Sequence, residues 1–162
     1  MRLITTTCAL LLLMAAPAAA NGLRLRHVSG GPTSALEVHG GWWYQSLGDR
    51  LAVINAASGT LQHVVQLSAM PASDTCRDLL AIGDELWVLM ESGELAMLAI
   101  NGDAAPHVQR RWSPNALGIL PGALADIQGA AIAMGEGGAV RLSNGERVVT
   151  ADGTVTTMAF SD

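Results

Sequence analysis

Five residues have the types and positions to build a shared site: Arg77, Asp78, Glu91, Asp126 and Glu136. They fall in or beside connecting loops that stacked sheets would bring to one rim. Carboxylates gathered there could hold a hard cation, provided that they converge to ligand distance. The bland alternative is that Arg77 and Asp78 cap a strand and pair with their neighbours. The other chemistry-bearing residues are dispersed. His27, His39, His63 and His107 show neither His-x-His nor His-x-x-x-His spacing, so no local pair presents two ligands on one face. Asp49, Asp84, Asp103 and Asp152 adjoin glycines or turns, where aspartate serves turn geometry. There is no Asp-x-Asp-x-Asp calcium loop. Gly135-Glu136-Gly137-Gly138 lacks the trailing glycine and following helix of a phosphate cradle. Neither a metal, a cofactor nor a catalytic residue is expected from these motifs.

Composition narrows the partners. All nine cationic side chains are arginines, against 14 acidic residues. A lysine-free, acidic chain does not suit nucleic acid or an anionic membrane surface. It also lacks the lysine of a Walker loop or a Schiff base. Arg110-Arg111 is a lone basic pair, the pattern of a solvated face.

Residues 1–20 carry a leader pattern: Arg2, an apolar core from Cys8 to Ala16, and Ala18-Ala19-Ala20 as a small-residue cleavage site. The core is shorter than the roughly 18 apolar residues of a membrane span. Export to a bacterial periplasm or beyond is the expectation, with residues 21–162 as the functional part. Cys76 is then the remaining cysteine. It is either a small buried hydrophobe or, in an oxidising compartment, a thiol that pairs with another chain.

Short strands must position all of these groups. Leu86–Met90 and Leu95–Ile100 are apolar pulses bounded by Gly83-Asp84 and by Glu91-Ser92-Gly93-Glu94. A helix of that length is marginal in water, and glycine in a charged tetrapeptide signals a hairpin. The pulses are continuous, so both faces of their sheet should be covered. The pattern recurs. Units run over 34–67, 78–112 and 124–150, and residues 154–162 open a partial fourth. The turn glycines Gly40, Gly83 and Gly129 are 43 and 46 residues apart. A large apolar residue follows each of them, at Trp43, Trp87 and Ile132, with one residue of slack. Four short strands in each period of about 40–50 residues is the spacing of propeller blades. Trp42, Trp43, Tyr44, Trp87 and Trp112 hold most of the aromatic surface. Trp42 and Trp43, being adjacent on a strand, must face opposite ways.

Val53-Ile54-Asn55-Ala56-Ala57-Ser58-Gly59-Thr60-Leu61 resembles the strand–turn–strand element of YVTN-type and quinoprotein-like β-propeller repeats. Asn101-Gly102 and Asn144-Gly145 occupy similar corners. The tryptophan that usually follows the turn in the quinoprotein version is replaced by Thr60-Leu61-Gln62-His63-Val64, so no quinone cofactor is implied. The expectation is an all-β chain of four-stranded antiparallel blades, about three plus one strand, and thus a partial propeller. It would act as an exported binding or protein-interaction module, truncated or split, and would be completed by a protein partner or a second copy. A lactonase-like propeller hydrolase with an incomplete site, or a non-functional fragment of a longer gene, are the alternatives. The small-molecule ligand, if any, is not legible.

Overall fold

The computed structural model describes residues 35–67, 74–102 and 104–155, and of 149–152 the backbone alone. The leader pattern expected over residues 1–20 and most of the partial fourth unit lie outside these residues. Three antiparallel meanders follow one another. The first contains β1 (Leu36–His39), β2 (Trp42–Leu47), β3 (Arg50–Asn55) and β4 (Leu61–Gln66). The second contains β5 (Cys76–Ile82), β6 (Glu85–Met90), β7 (Leu95–Ala99) and β8 (His107–Trp112). A single helical turn, α1 (Pro114–Leu117), leads to β9 (Leu120–Ile127), β10 (Ala130–Arg141) and β11 (Glu146–Thr154). In each sheet the strands neighbour one another in chain order.

The helix-prone run at Leu95 is strand because burial overrides propensity. All five residues of β7 are buried, alternately on the two faces of the middle sheet. Each fully buried leucine there contributes about 1.5–3 kcal/mol of transfer free energy, more than the tenths by which propensity favours helix. Turn chemistry then closes the ribbons. Gly93 sits at φ +81°, and a Cβ there would come within 2.9 Å of Leu120 Cδ1. Asn55 accepts the backbone N–H groups of Ala57 and Ser58 at 3.1 and 2.9 Å, which shapes the corner between β3 and β4.

β10 is a folded ribbon rather than one straight strand. Leu142 N–H donates to the Ala131 carbonyl at 2.9 Å. Eleven residues of extended chain would part these atoms by about 37 Å, so the chain reverses between them. The reversal coincides with Gly137 and Gly138, at φ +91° and +132°. One arm, 130–136, pairs with β9, and the other, 138–141, pairs with β11. The third sheet is therefore four strands wide like the others, with its hairpin at Gly135-Glu136-Gly137-Gly138.

That sheet is longer than its expected range of 124–150. It begins at Leu120, because Pro121 lies opposite Gly135, where a Cβ would meet the Leu120 carbonyl at 2.0 Å. Only glycine admits so close an approach. It ends beyond Gly153, which reads as a turn but lies within β11. The chain runs on so that Val155 N–H reaches the Gly135 carbonyl at 2.9 Å. Cys76 N–H makes the corresponding bond to the Gly48 carbonyl, 3.0 Å, as the chain enters the second sheet.

The sheets stack face to face in succession, with β1, β5 and β9 adjoining. Trp42, Tyr44, Leu51 and Val53 of the first sheet pack against Leu86, Val88, Ala96 and Leu98 of the second. The opposite face of the second, with Trp87, Leu89, Leu95 and Met97, packs on Ala131, Ala133, Val140 and Leu142 of the third. The tryptophan equivalence expected from the glycine spacing holds for Trp87 and Ile132 but shifts by one residue in the first sheet. Tyr44 occupies the seam-facing place, while Trp43 points to the far face with Leu47, Ala52 and Ile54. The one-residue slack in the turns inverts the face, since side chains alternate along a strand.

Candidate functional site

The meander order sorts the turns onto two rims. The β2–β3 and β6–β7 turns and the β10 tip share one rim with the starts of β5 and β9. The β1–β2, β5–β6 and β9–β10 turns lie on the other. Arg77 and Glu91, at the start of β5 and the end of β6, are brought together on the first rim, with Nε and Oε2 3.8 Å apart. Both side chains are about half exposed, and an ion pair of this kind contributes at most about 1 kcal/mol. Glu136, exposed at the β10 tip, belongs to the same rim.

The other two candidates are placed elsewhere. Asp78 turns toward the next sheet: Oδ2 accepts Leu124 N–H at 2.8 Å, and Oδ1 accepts Leu79 N–H at 2.9 Å. It braces the second sheet against the third. Asp126 lies on the opposite rim, where it accepts Gly129 N–H at 2.8 Å within the β9–β10 turn. It pairs with Ala131, whereas Glu136 pairs with Leu120. Five rungs of ladder, about 17 Å, therefore separate Asp126 from Glu136. Ligands of one cation must each come within roughly 2.0–2.6 Å of it, so these two carboxylates do not share an ion. Among the described residues no group of three His, Cys, Asp or Glu side chains could hold a metal.

Cys76 is the first residue of β5, and it is fully buried in the seam between the first two sheets. Burial pushes its thiol up to about 12, helped by the charge of Asp78 and opposed by a hydrogen bond with Ser46. A protonated, enclosed sulfur is neither a nucleophile nor an accessible partner for another thiol. Trp87 and Trp112 stack in the second seam, ring centroids 5.4 Å apart, and the Arg110 guanidinium lies 4.9 Å from the Trp112 ring.

Among the described residues the first rim also carries an open groove of about 540 Å³ between α1 and the β10 tip. Pro114, Ile119 and Leu120 supply apolar wall, and Glu136 supplies a negative charge. α1 is set by local chemistry. Ser113 caps its start by accepting Ala116 N–H at 3.3 Å, and Gly118 ends it in the left-handed region. Arg147 holds the two walls together, donating from Nη2 to the Gly118 carbonyl at 2.7 Å and from Nη1 to the Gly137 carbonyl at 3.5 Å. No sequence signal marks Arg147, because its partners are backbone carbonyls on two distant turns.

No family model matches the chain, and no curated protein matches it. Solved structures do. The Swd1 β-propeller domain of Myceliophteria thermophila is 12% identical at a TM-score of 0.57, over 75% of this chain and 43% of that one. BamB from Moraxella catarrhalis is 19% identical at 0.51, over 75% and 36%. The computationally designed Ika4 protein is 15% identical at 0.54, over 83% and 82%. The chain thus has the β-propeller fold, built of four-stranded blades. It spans less than half the length of the Swd1 domain and of BamB.

Proposed function

We propose that this is an exported propeller-type binding module that takes a polypeptide partner on the rim bearing Glu91 and Glu136. The observation that carries this reading is the groove beside α1, where Leu120, 50% exposed, lies next to Glu136. A large aliphatic side chain left in water beside a carboxylate suits a segment that offers an apolar residue and a basic one together. Export rests on the leader pattern of residues 1–20. An acidic surface without lysine points the same way, toward a partner with basic character.

The test uses the full chain as bait in an extract of the cell envelope, compared with the double variant Leu120→Asp, Glu136→Arg and with Gln109→Glu as a surface control. A partner held by wild type and by the control but lost by the double variant supports the groove. A partner retained by the double variant refutes it. N-terminal sequencing of protein recovered outside the cytoplasm should begin at Asn21, and an uncleaved chain in the cytoplasm would refute export.

A further inference from the structure

Three dipeptides in the chain set asparagine before glycine: Asn21-Gly22, Asn101-Gly102 and Asn144-Gly145. This pairing carries its own chemistry. The amide nitrogen of the glycine can attack the side-chain carbonyl carbon of the asparagine, because glycine has no Cβ to crowd the approach. The remaining asparagines, Asn55 and Asn115, precede alanine. Asn55 Oδ1 is also held by Ala57 N–H, Ser58 N–H and the Ser58 hydroxyl. Asn21 lies outside the described residues. By sequence, Asn101 and Asn144 are equals. By structure they are not.

Asn144 is held at each group the reaction needs. Gly145 N–H donates to the Arg141 carbonyl at 2.9 Å, so the attacking nitrogen is engaged. Asn144 Oδ1 accepts Glu146 N–H at 2.9 Å and Nδ2 donates to Glu146 Oε2 at 3.3 Å, which fixes the side chain. The Arg141–Glu146 rung of the ladder closes the turn, and an ion pair of 3.3 Å joins the same two residues. Asn101 is set differently. It is exposed and lies beyond the last rung of the β7–β8 ladder, Ala99 with His107. Among the described residues its side-chain amide makes no hydrogen bond, and Gly102 N–H makes none to the backbone. Ala104 N–H donates to the Asn101 main-chain carbonyl at 3.2 Å, which engages neither reacting group. Gly102 stands at φ +56° with nothing within 4 Å of where a Cβ would be, so the corner has room to turn.

We infer that Asn101 is a site of self-modification, converted through a cyclic imide to aspartate and isoaspartate with water as co-reactant. Gly102 N gives its proton to solvent and bonds to Asn101 Cγ. The Cγ–Nδ2 bond breaks, and Nδ2 leaves as ammonia after taking a proton from water. Water then opens the ring. Attack at Cγ breaks its bond to Gly102 N and leaves aspartate. Attack at the main-chain carbonyl carbon breaks the original peptide bond and leaves isoaspartate, with the chain running through the former side chain. Nothing is oxidised or reduced. Either product places a new carboxylate at the corner where Ile100 N–H meets the Asp84 carbonyl, on the rim opposite the groove. The groove reading and this one can therefore fail separately.

The full chain is incubated at mildly alkaline pH, folded and in urea, and samples are digested with trypsin. The chain has no lysine, so cleavage at arginine puts Asn101 in peptide 78–110 and Asn144 in peptide 142–147. Mass spectrometry reads the amide-to-acid conversion in each peptide. In the folded protein Asn101 should convert at least about tenfold faster than Asn144, the factor that breaking one ordinary hydrogen bond imposes on a rate. In urea the two rates should converge, because the bonds that hold Asn144 are gone. Asn101→Gln should abolish the conversion in peptide 78–110, since the longer side chain would have to close a larger ring. Equal rates in the folded protein, or a faster Asn144, overturn the inference. So does a tenfold ratio that persists in urea, which would make the difference a matter of neighbouring residues rather than of the fold.

Discussion

Asp78 offers the sharpest test of how the blades are held together. Its carboxylate accepts Leu124 N–H from the neighbouring sheet at 2.8 Å in a partly buried setting, and Leu79 N–H at 2.9 Å. Asp78→Ala removes a charge-assisted acceptor and leaves the Leu124 N–H without its bond. A hydrogen bond to a charged group is worth about 1.5–3 kcal/mol, and the Leu79 bond, being local, adds less. The expected loss is about 2–3 kcal/mol, a large fraction of the 5–15 kcal/mol that stabilises a domain. At this size it should lower the melting midpoint by about 4–12 °C. Asp78→Asn keeps one oxygen and the shape, and should lose about half as much. Urea denaturation followed by tryptophan emission is the assay, because Trp87 and Trp112 stack in the seam that Asp78 braces. A loss below about 0.5 kcal/mol for Asp78→Ala, the range of an ordinary surface change, would refute the bracing role.

Cys76 predicts a pH dependence. Its thiol lies at about 12 in the folded protein against 9.0 unfolded, through burial above all. The folded state thus keeps a proton that the unfolded chain releases. The associated stability is complete below pH 9 and declines as pH rises from about 9 toward 12. Cys76→Ala should flatten that part of the stability–pH curve, and native protein at pH 8 should resist iodoacetamide until urea is added. Rapid native alkylation would contradict the burial. Trp87 Nε1 is buried with no hydrogen-bond partner among the described residues, so Trp87→Phe removes an unsatisfied donor and should cost under about 1.5 kcal/mol. Trp87→Ala should cost about 3–5 kcal/mol through the cavity it leaves, and equal losses for the two variants by urea denaturation would refute this account.

Sequence alone determined the ribbons. Apolar pulses of five or six residues closed by Gly83-Asp84, Glu91-Ser92-Gly93-Glu94 and Gly135-Glu136-Gly137-Gly138 specify hairpins, because turn geometry depends on residues adjacent in the chain. Continuous burial of β7 was equally legible, since a strand apolar at every position must be covered on both faces. Tertiary structure decided what crosses between sheets. It sent Asp78 to an amide 46 residues away, Arg147 to a carbonyl 29 residues away, and Asp126 and Glu136 to opposite rims. It also turned Trp43 away from the seam and put Tyr44 there. The reason is physical: alternation inverts a side chain's direction with a single residue of turn slack, and partners across a seam depend on the offset of one sheet over the next. That offset is set by the packing of whole faces, and no local pattern encodes it.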